Sequence, residues 1–222
     1  MMLICQGISK KFGNEVVLNN FDFQMSPGEI VGLVGKSGSG KTTFMRILTN
    51  LETLDSGSVL IDDVFLYKNG QLASKKIQSN YQKKMGLVFQ NYALFPNLSV
   101  IDNIIEAPSA LDGTAKTSIK DLKEKAMGYL KRFGLEDKAD MMPKQLSGGQ
   151  KQRVAIIRSL ILNPSFICFD EPTSALDDAN QETVGSLINE ISEIGKGVII
   201  VTHDNDFADK TCSRLISSTT FK

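Results

Sequence analysis

The stretch EIVGLVGKSGSGKTTFMRILTNL, Glu29 to Leu51, constrains the fold more than any other part of the chain. Its apolar run, Glu29 to Gly35, reads as a buried strand that stops at a glycine-rich loop, and TTFMRILTNL reads as a helix. The loop GKSGSGKTT fits G-x-x-x-x-G-K-[ST] at Gly35, Gly40, Lys41 and Thr42, in the strand–loop–helix setting that the pattern requires. Its glycines, Gly35, Gly38 and Gly40, let the backbone wrap phosphate oxygens with inward N–H groups, and Lys36, Ser37, Ser39 and Thr43 complete the loop. The helix start adds a partial positive charge. Lys41 is expected to reach the β- and γ-phosphates of a nucleoside triphosphate, and the Thr42 hydroxyl to ligate Mg²⁺.

The remaining pattern extends this into an α/β domain. VVLNNFDFQM alternates as a half-buried strand, and Pro27–Gly28 turns the chain. Asp55-Ser56-Gly57 reads as a turn into the strand SVLID, and MGLVFQ as a further apolar strand. From Val100 to about Leu162 the pattern is mostly helical. Ile119, Leu122, Ala126, Met127, Leu130 and Phe133 share a helical face that stops at Gly134. QKQRVAIIRSLIL forms a helix ended by Pro164. Strands return with FICFD and GVIIVTH, separated by a helix carrying Val184, Leu187, Ile188, Ile191 and Ile194 before Gly195. Alternating short apolar strands and helices imply a mainly parallel sheet covered on both faces. The expected division is an α/β core, residues 1–90 and 163–222, interrupted by a helical subdomain over 91–162.

Composition sets outer bounds. The 222 residues suffice for one large domain. Lys+Arg and Asp+Glu are both 25, so net charge is zero, which argues against a general nucleic-acid binder. Three cysteines without metal spacing favour a reducing compartment. The sequence contains no apolar run long enough to span a membrane, and the N-terminus does not read as a signal peptide.

Four further features carry chemistry. FICFDE ends an apolar strand in two acids: Asp170 suits the Mg²⁺ hydration shell, and Glu171 suits a general base for water. His203, the single histidine, follows a buried strand, at the carboxyl end where α/β folds bind ligands. This placement suits a γ-phosphate sensor. Gln90 ends the strand GLVFQ and offers a neutral carbonyl oxygen to Mg²⁺ or water. LSGGQKQR, Leu146 to Arg153, opens with Ser147, Gly148 and Gly149 and resembles a second anion-facing helix start, the helix beginning at Gln150. Leu146 is expected to pack the loop down, and Lys151 and Arg153 to be solvated charges.

Together these stretches resemble the ATP-binding subunit of ABC transporters, over nearly the whole chain and in that family's order. GKSGSGKTT is similar to its Walker A loop, Gln90 to its Q-loop glutamine and LSGGQ to its signature. FICFDE is similar to Walker B plus the catalytic glutamate, Ser174–Asp177 to the D-loop and His203 to the switch histidine. Phe12 stands where the family has an aromatic ring stacking on adenine. The resemblance implies a P-loop NTPase (RecA-like) core with a mostly parallel sheet, an N-terminal antiparallel β part and the inserted helical subdomain. It implies ATP and Mg²⁺ held head to tail in a homodimer, with Ser147, Gly148, Gly149, Gln150 and Asp177 acting on the partner copy's nucleotide.

VFQNYALFPNLSVIDNIIEAP, DEPTSALD and VTHDNDFADKTCSRL look most like importers of polar amino acids. That implies two membrane permease subunits, a substrate-binding protein reached through them, and a cytoplasmic position on the inner membrane face. Tyr92, Leu94, Phe95 and Leu98 would either line a groove for a permease helix or pack beneath the helical region. Asp178 replaces the family's usual proline, and Asp204 its common Glu. The chain stops at ISSTTFK, short of the family's closing hairpin, which leaves the last strands open. An exporter or other-substrate importer remains the alternative, and a non-transport ABC ATPase a more distant one. A P-loop kinase or GTPase would leave LSGGQ and SALD unexplained.

Overall fold

A computed structural model describes residues 1–111, 118–174 and 176–221. Ala175 of the SALD stretch and residues 112–117 of the expected helical region lie outside these residues.

Two sheets share one of two apolar cores. In the first, β1 (Leu3–Phe12) and β2 (Glu15–Met25) pair antiparallel across the Gly13–Asn14 turn. β4 (Ser56–Ile61) pairs with the other edge of β1, and β5 (Val64–Lys68) and β6 (Gln71–Leu72) continue the meander. Ser56 and Gly57, expected in a turn, therefore open a strand. Gly57 backs so closely onto the Gln6 and Gly7 backbone that a side chain would clash, so strand pairing overrides the local turn tendency. β5, β6 and α2 (Lys75–Gln82) lie beyond the sequence expectations; α2 buries Gln78 and Tyr81.

The second sheet is all parallel, in the order β10 (Arg214–Ser217), β3 (Ile30–Val34), β9 (Gly197–Thr202), β8 (Phe166–Asp170), β7 (Met85–Val88). Its strands are apolar on both faces because each face meets a different core. Ile167, Phe169, Val198 and Ile200 pack with the helices α3 (Val100–Leu111), α4 (Ile119–Arg132), α5 (Gly148–Leu160) and α6 (Asp178–Glu193). Phe166, Cys168, Ile199 and Val201 pack with α1 (Lys41–Leu48) and the first sheet. The two-residue alternation of side chains sorts each strand between these cores. The second face is thus covered by α1 together with another sheet.

The helices follow most of their apolar spacing. Leu122, Ala126, Leu130 and Phe133 are buried, whereas Ile119 and Met127 are exposed. α4 begins with a capping box in which Ser118 and Asp121 exchange hydrogen bonds with each other's backbone N–H. α6 buries Val184, Ile188 and Ile191 and leaves Ile194 exposed past its end. β10 lies parallel beside β3, and the turn after it buries Phe221 against Phe21 and Phe44. The short helix α7 (Asn205–Thr211), capped by the Asp204 carboxylate, leads into β10.

Candidate nucleotide site

The phosphate loop leaves β3 at Val34 and enters α1, with Gly40 as its N-cap in the left-handed region at φ 99°. Glycine is also required at Gly35, where φ is 141° and an added methyl group would collide with the Ser218 hydroxyl. Lys41 folds back so that its ammonium donates to the carbonyls of Gly35 and Lys36 at 2.7 and 2.9 Å. Burial pushes the Lys41 ammonium below the ordinary lysine value, opposed by nearby Glu171 and Asp170. A charged lysine is thus held at the loop's centre with little water around it, where an anion is strongly attracted.

The carboxyl ends of the parallel strands bring the other groups to the same place. Lys41, Thr42, Gln90, Asp170, Glu171 and His203 line one cleft of about 760 Å³, with Ser37 to Gly40 and Thr43 on its floor. Gly35 and Lys36 supply the carbonyls that hold Lys41 instead of lining it. Asp170 ends β8; burial and then the adjacent Glu171 carboxylate push its carboxyl up, while Arg46 and Lys41 pull it down.

Glu171 adopts φ 48°, a left-handed backbone rare for a non-glycine residue, and its N–H donates to the Val201 carbonyl at 2.8 Å. Its Oε2 lies 2.9 Å from His203 Nδ1 and also receives the Thr202 hydroxyl at 3.3 Å. Gln90 sits beyond β7, not at the end of a strand, and its amide donates to the Ser174 hydroxyl at 3.2 Å. Ser174 in turn donates to the Glu171 carbonyl at 3.1 Å. A hydrogen-bonded path thus joins Gln90 to the backbone of Glu171.

Phe12 ends β1 at the rim of the cleft and is 47% exposed. A ring this open is not a core residue. Arg46 of α1 and Glu15 of β2 also line the cleft, and neither has a local sequence signal. Only the pairing of β2 and the turn of α1 place them there.

The second helix start lies elsewhere. α5 begins at Gly148, two residues earlier than the sequence suggested, because Ser147 is its N-cap. The Ser147 hydroxyl accepts from the Gln150 N–H at 3.3 Å, and the Gln150 side chain accepts from the Ser147 N–H at 2.9 Å. Asp177 caps α6 beside it and accepts from both the Asn180 N–H at 2.9 Å and its side-chain amide at 2.8 Å. Gly149 abuts the Asn180 side chain so closely that no Cβ fits. Two helix N-termini therefore lie side by side, and none of Ser147, Gly148, Gly149, Gln150 and Asp177 lines the phosphate cleft. Leu146 is buried. Arg153 is not simply solvated: its guanidinium donates to the Phe133 carbonyl at 3.2 Å, tying α5 to the end of α4.

The donors in the cleft suit Mg²⁺, a hard cation that takes few protein oxygens and completes its shell with phosphates and water. The Thr42 hydroxyl, the Asp170 carboxylate and the Gln90 amide oxygen form such a set. No group of three His, Cys, Asp or Glu side chains spaced to cage a metal occurs among the described residues.

The family model for ABC transporters matches residues 18–174. The arginine transport ATP-binding protein ArtM of Bacillus subtilis (strain 168) is 40% identical over 97% of this chain and 86% of its own length. The glutamine transport ATP-binding protein GlnQ of Escherichia coli (strain K12) is 38% identical over the same shares. The L-cystine transport system ATP-binding protein TcyN of Escherichia coli (strain K12) is 39% identical over 95% of this chain and 84% of its own. Among solved structures, the ATP-binding cassette MJ0796, a dimer in a post-hydrolysis state with ADP and Pi, superposes with a TM-score of 0.81. It is 35% identical, over 97% of this chain and 93% of that one. cbiO1 from Clostridium perfringens, part of the transporter complex cbiONQ, gives a TM-score of 0.83 at 26% identity, over 97% and 83% of the two chains. The chain belongs to the ABC transporter family, among its ATP-binding and ATP-hydrolysing subunits.

Proposed function

We propose that this subunit hydrolyses Mg-ATP at a head-to-tail homodimer interface and drives import of a polar amino acid through partner permeases. The observation that carries the dimer reading is the separation of two phosphate-facing groups. Lys41, Thr42, Asp170, Glu171 and His203 share one cleft, while Ser147 to Gln150 and Asp177 do not line it. A nucleotide seated on Lys41 exposes a second face, and a second copy has the matching helix start to cover it.

Lys41 and the loop N–H groups hold the β- and γ-phosphates, and Phe12 stacks on the base. Thr42, Asp170 and Gln90 would hold Mg²⁺, which would supply positive charge to offset the negative charge developing on the phosphates. Glu171 takes the proton of the attacking water, with His203 orienting its carboxylate and contacting the γ-phosphate. Ser147, Gly148, Gly149 and Gln150 of α5, with Asp177, close the site from the other copy. Loss of the γ-phosphate removes that bridge and separates the two copies, which couples turnover to motion. In this reading residues 91–162 act as a helical subdomain on the core of 1–90 and 163–222.

No helix among the described residues is long and apolar enough to cross a membrane. A groove of about 540 Å³, walled by Phe89, Ala93, Phe95, Glu106, Leu162 and Pro164, suits a short permease helix. Phe95 is open to it, whereas Tyr92 and Leu94 pack on the core. Docking there places the subunit on the cytoplasmic face of the membrane. Polar amino acids are inferred as cargo because the arginine, glutamine and cystine transport subunits align over nearly all of this chain. The test is co-purification of the permease, then ATP-dependent uptake of labelled arginine, glutamine and cystine in vesicles. Uptake of none of these, or ATP-driven efflux instead, overturns the cargo assignment.

A further inference from the structure

We infer that Lys10 is a positioning residue for nucleotide binding, acting through Phe12; this rests on the reading of Phe12 as the base platform. Lys10 and Phe12 are two residues apart on β1, so their side chains fall on the same side of the strand. The Lys10 ammonium lies 4.9 Å from the centroid of the Phe12 ring. That distance lies within the range where a cation is attracted to the face of an aromatic ring. Lys10 is 6% exposed and Phe12 47%, so the cation forms the protected backing and the ring the open surface at the cleft's rim.

The ammonium is itself fixed. It donates to Glu52 Oε1 at 2.8 Å and to the Thr53 hydroxyl at 3.1 Å, with Asp55 Oδ1 at 3.9 Å. These partners belong to the segment after α1, which is bonded to β1 on both sides of Lys10: Asp55 N–H donates to the Ser9 carbonyl, and Lys11 N–H to Asp55 Oδ2. The same segment hangs from α1 through the N–H groups of Leu51 and Glu52, which both donate to the Arg46 carbonyl. The helix that begins at the phosphate loop therefore ends at the support of the base platform. An exposed ring held only by its own strand would lose rotamer freedom on stacking; one held from behind by a fixed cation has lost it already.

The test is titration calorimetry of the full chain with Mg-ADP and, separately, Mg-pyrophosphate, which keeps the phosphates and lacks the base. Lys10→Met is expected to weaken Mg-ADP about three- to tenfold and to leave Mg-pyrophosphate unchanged. Lys10→Arg, which retains the cation, is expected to restore ADP affinity. In a Phe12→Ala background Lys10→Met is expected to have no further effect, since the two residues act as one unit. If Lys10→Met does not fold, Lys10→Gln, which keeps a donor for the Glu52 side, carries the same expectation. Unchanged ADP affinity overturns the inference, as does a parallel loss of pyrophosphate binding or a full additional loss in the Phe12→Ala background. If Phe12→Ala alone leaves ADP affinity intact, the base platform fails and the role of Lys10 falls with it. If Phe12→Ala weakens ADP and Lys10→Met does not, only the role of Lys10 fails.

Discussion

His203 Nδ1 lies 2.9 Å from Oε2 of Glu171, and the His203 N–H and the Thr202 hydroxyl approach the same oxygen at 3.4 and 3.3 Å. The end of β9 thereby fixes the carboxylate that follows β8. The left-handed backbone at Glu171 turns the side chain toward this neighbour. Strain of that kind persists only where surrounding bonds over-determine it.

Glu171→Gln is expected to lower turnover by about 10²- to 10⁴-fold, the usual contribution of a general base. Its amide fills the same space but cannot take a proton from water. ATP binding survives, and dimers accumulate in the presence of ATP. Phosphate release and size-exclusion chromatography with and without ATP measure both effects. A variant that hydrolyses at the normal rate removes Glu171 from the mechanism.

Ser147→Arg separates the two phosphate-facing groups. It deletes the N-cap of α5, at a cost of about 1 kcal/mol, and puts bulk where the partner's nucleotide is proposed to sit. Turnover should fall by about 10²-fold or more, while the monomer binds ATP with unchanged affinity because Ser147 is outside the cleft. Loss of ATP binding by the monomer would place both groups in one site and refute the head-to-tail arrangement.

Asp170→Asn should abolish Mg²⁺-dependent turnover without lowering the melting temperature of the nucleotide-free protein. Burial and Glu171 hold the Asp170 carboxyl above the ordinary carboxylate value. The folded state therefore binds the proton more tightly than the unfolded state. The ionised group costs stability above that raised value, and the cost disappears once pH falls below the ordinary value. Asparagine removes the penalty at all pH. Thermal melts from mildly acidic to neutral pH should show the difference between variant and parent growing as pH rises. A difference that shrinks as pH rises contradicts this account.

Arg158→Met tests the wall of the groove. The guanidinium donates to the Tyr92 carbonyl at 2.7 Å and the Ala93 carbonyl at 2.6 Å, and both residues have positive φ. Removing two charge-assisted bonds that hold a strained turn should cost about 2–3 kcal/mol in denaturant unfolding. ATP affinity should be unchanged, and association with the permease weakened. If permease association is retained at full strength, the turn is not part of the docking surface.

Local sequence was enough to single out the groups that meet in the cleft, because each sits in a short, periodic context. GKSGSGKTT follows an apolar run, the Asp170–Glu171 pair ends one, and His203 follows another. Those strands must be buried, and in a parallel sheet their carboxyl ends meet at one edge. The helix faces of α4 and α6 were legible for the same reason, apart from the exposed Ile119, Met127 and Ile194.

The kind of chemistry and the family can be read from the chain alone, since loop, strand tips and signature are each written in a few adjacent residues. Which distant residues support them follows only from the packed fold. Ser218 confines Gly35, Asn180 confines Gly149, Thr202 and His203 hold Glu171, and Glu52 holds Lys10 beneath Phe12. These partners lie far apart along the chain and follow no periodicity. Their meeting depends on how two sheets and the helices close around two cores, because a contact between distant segments is set by the packing of the whole domain and not by the propensity of either segment.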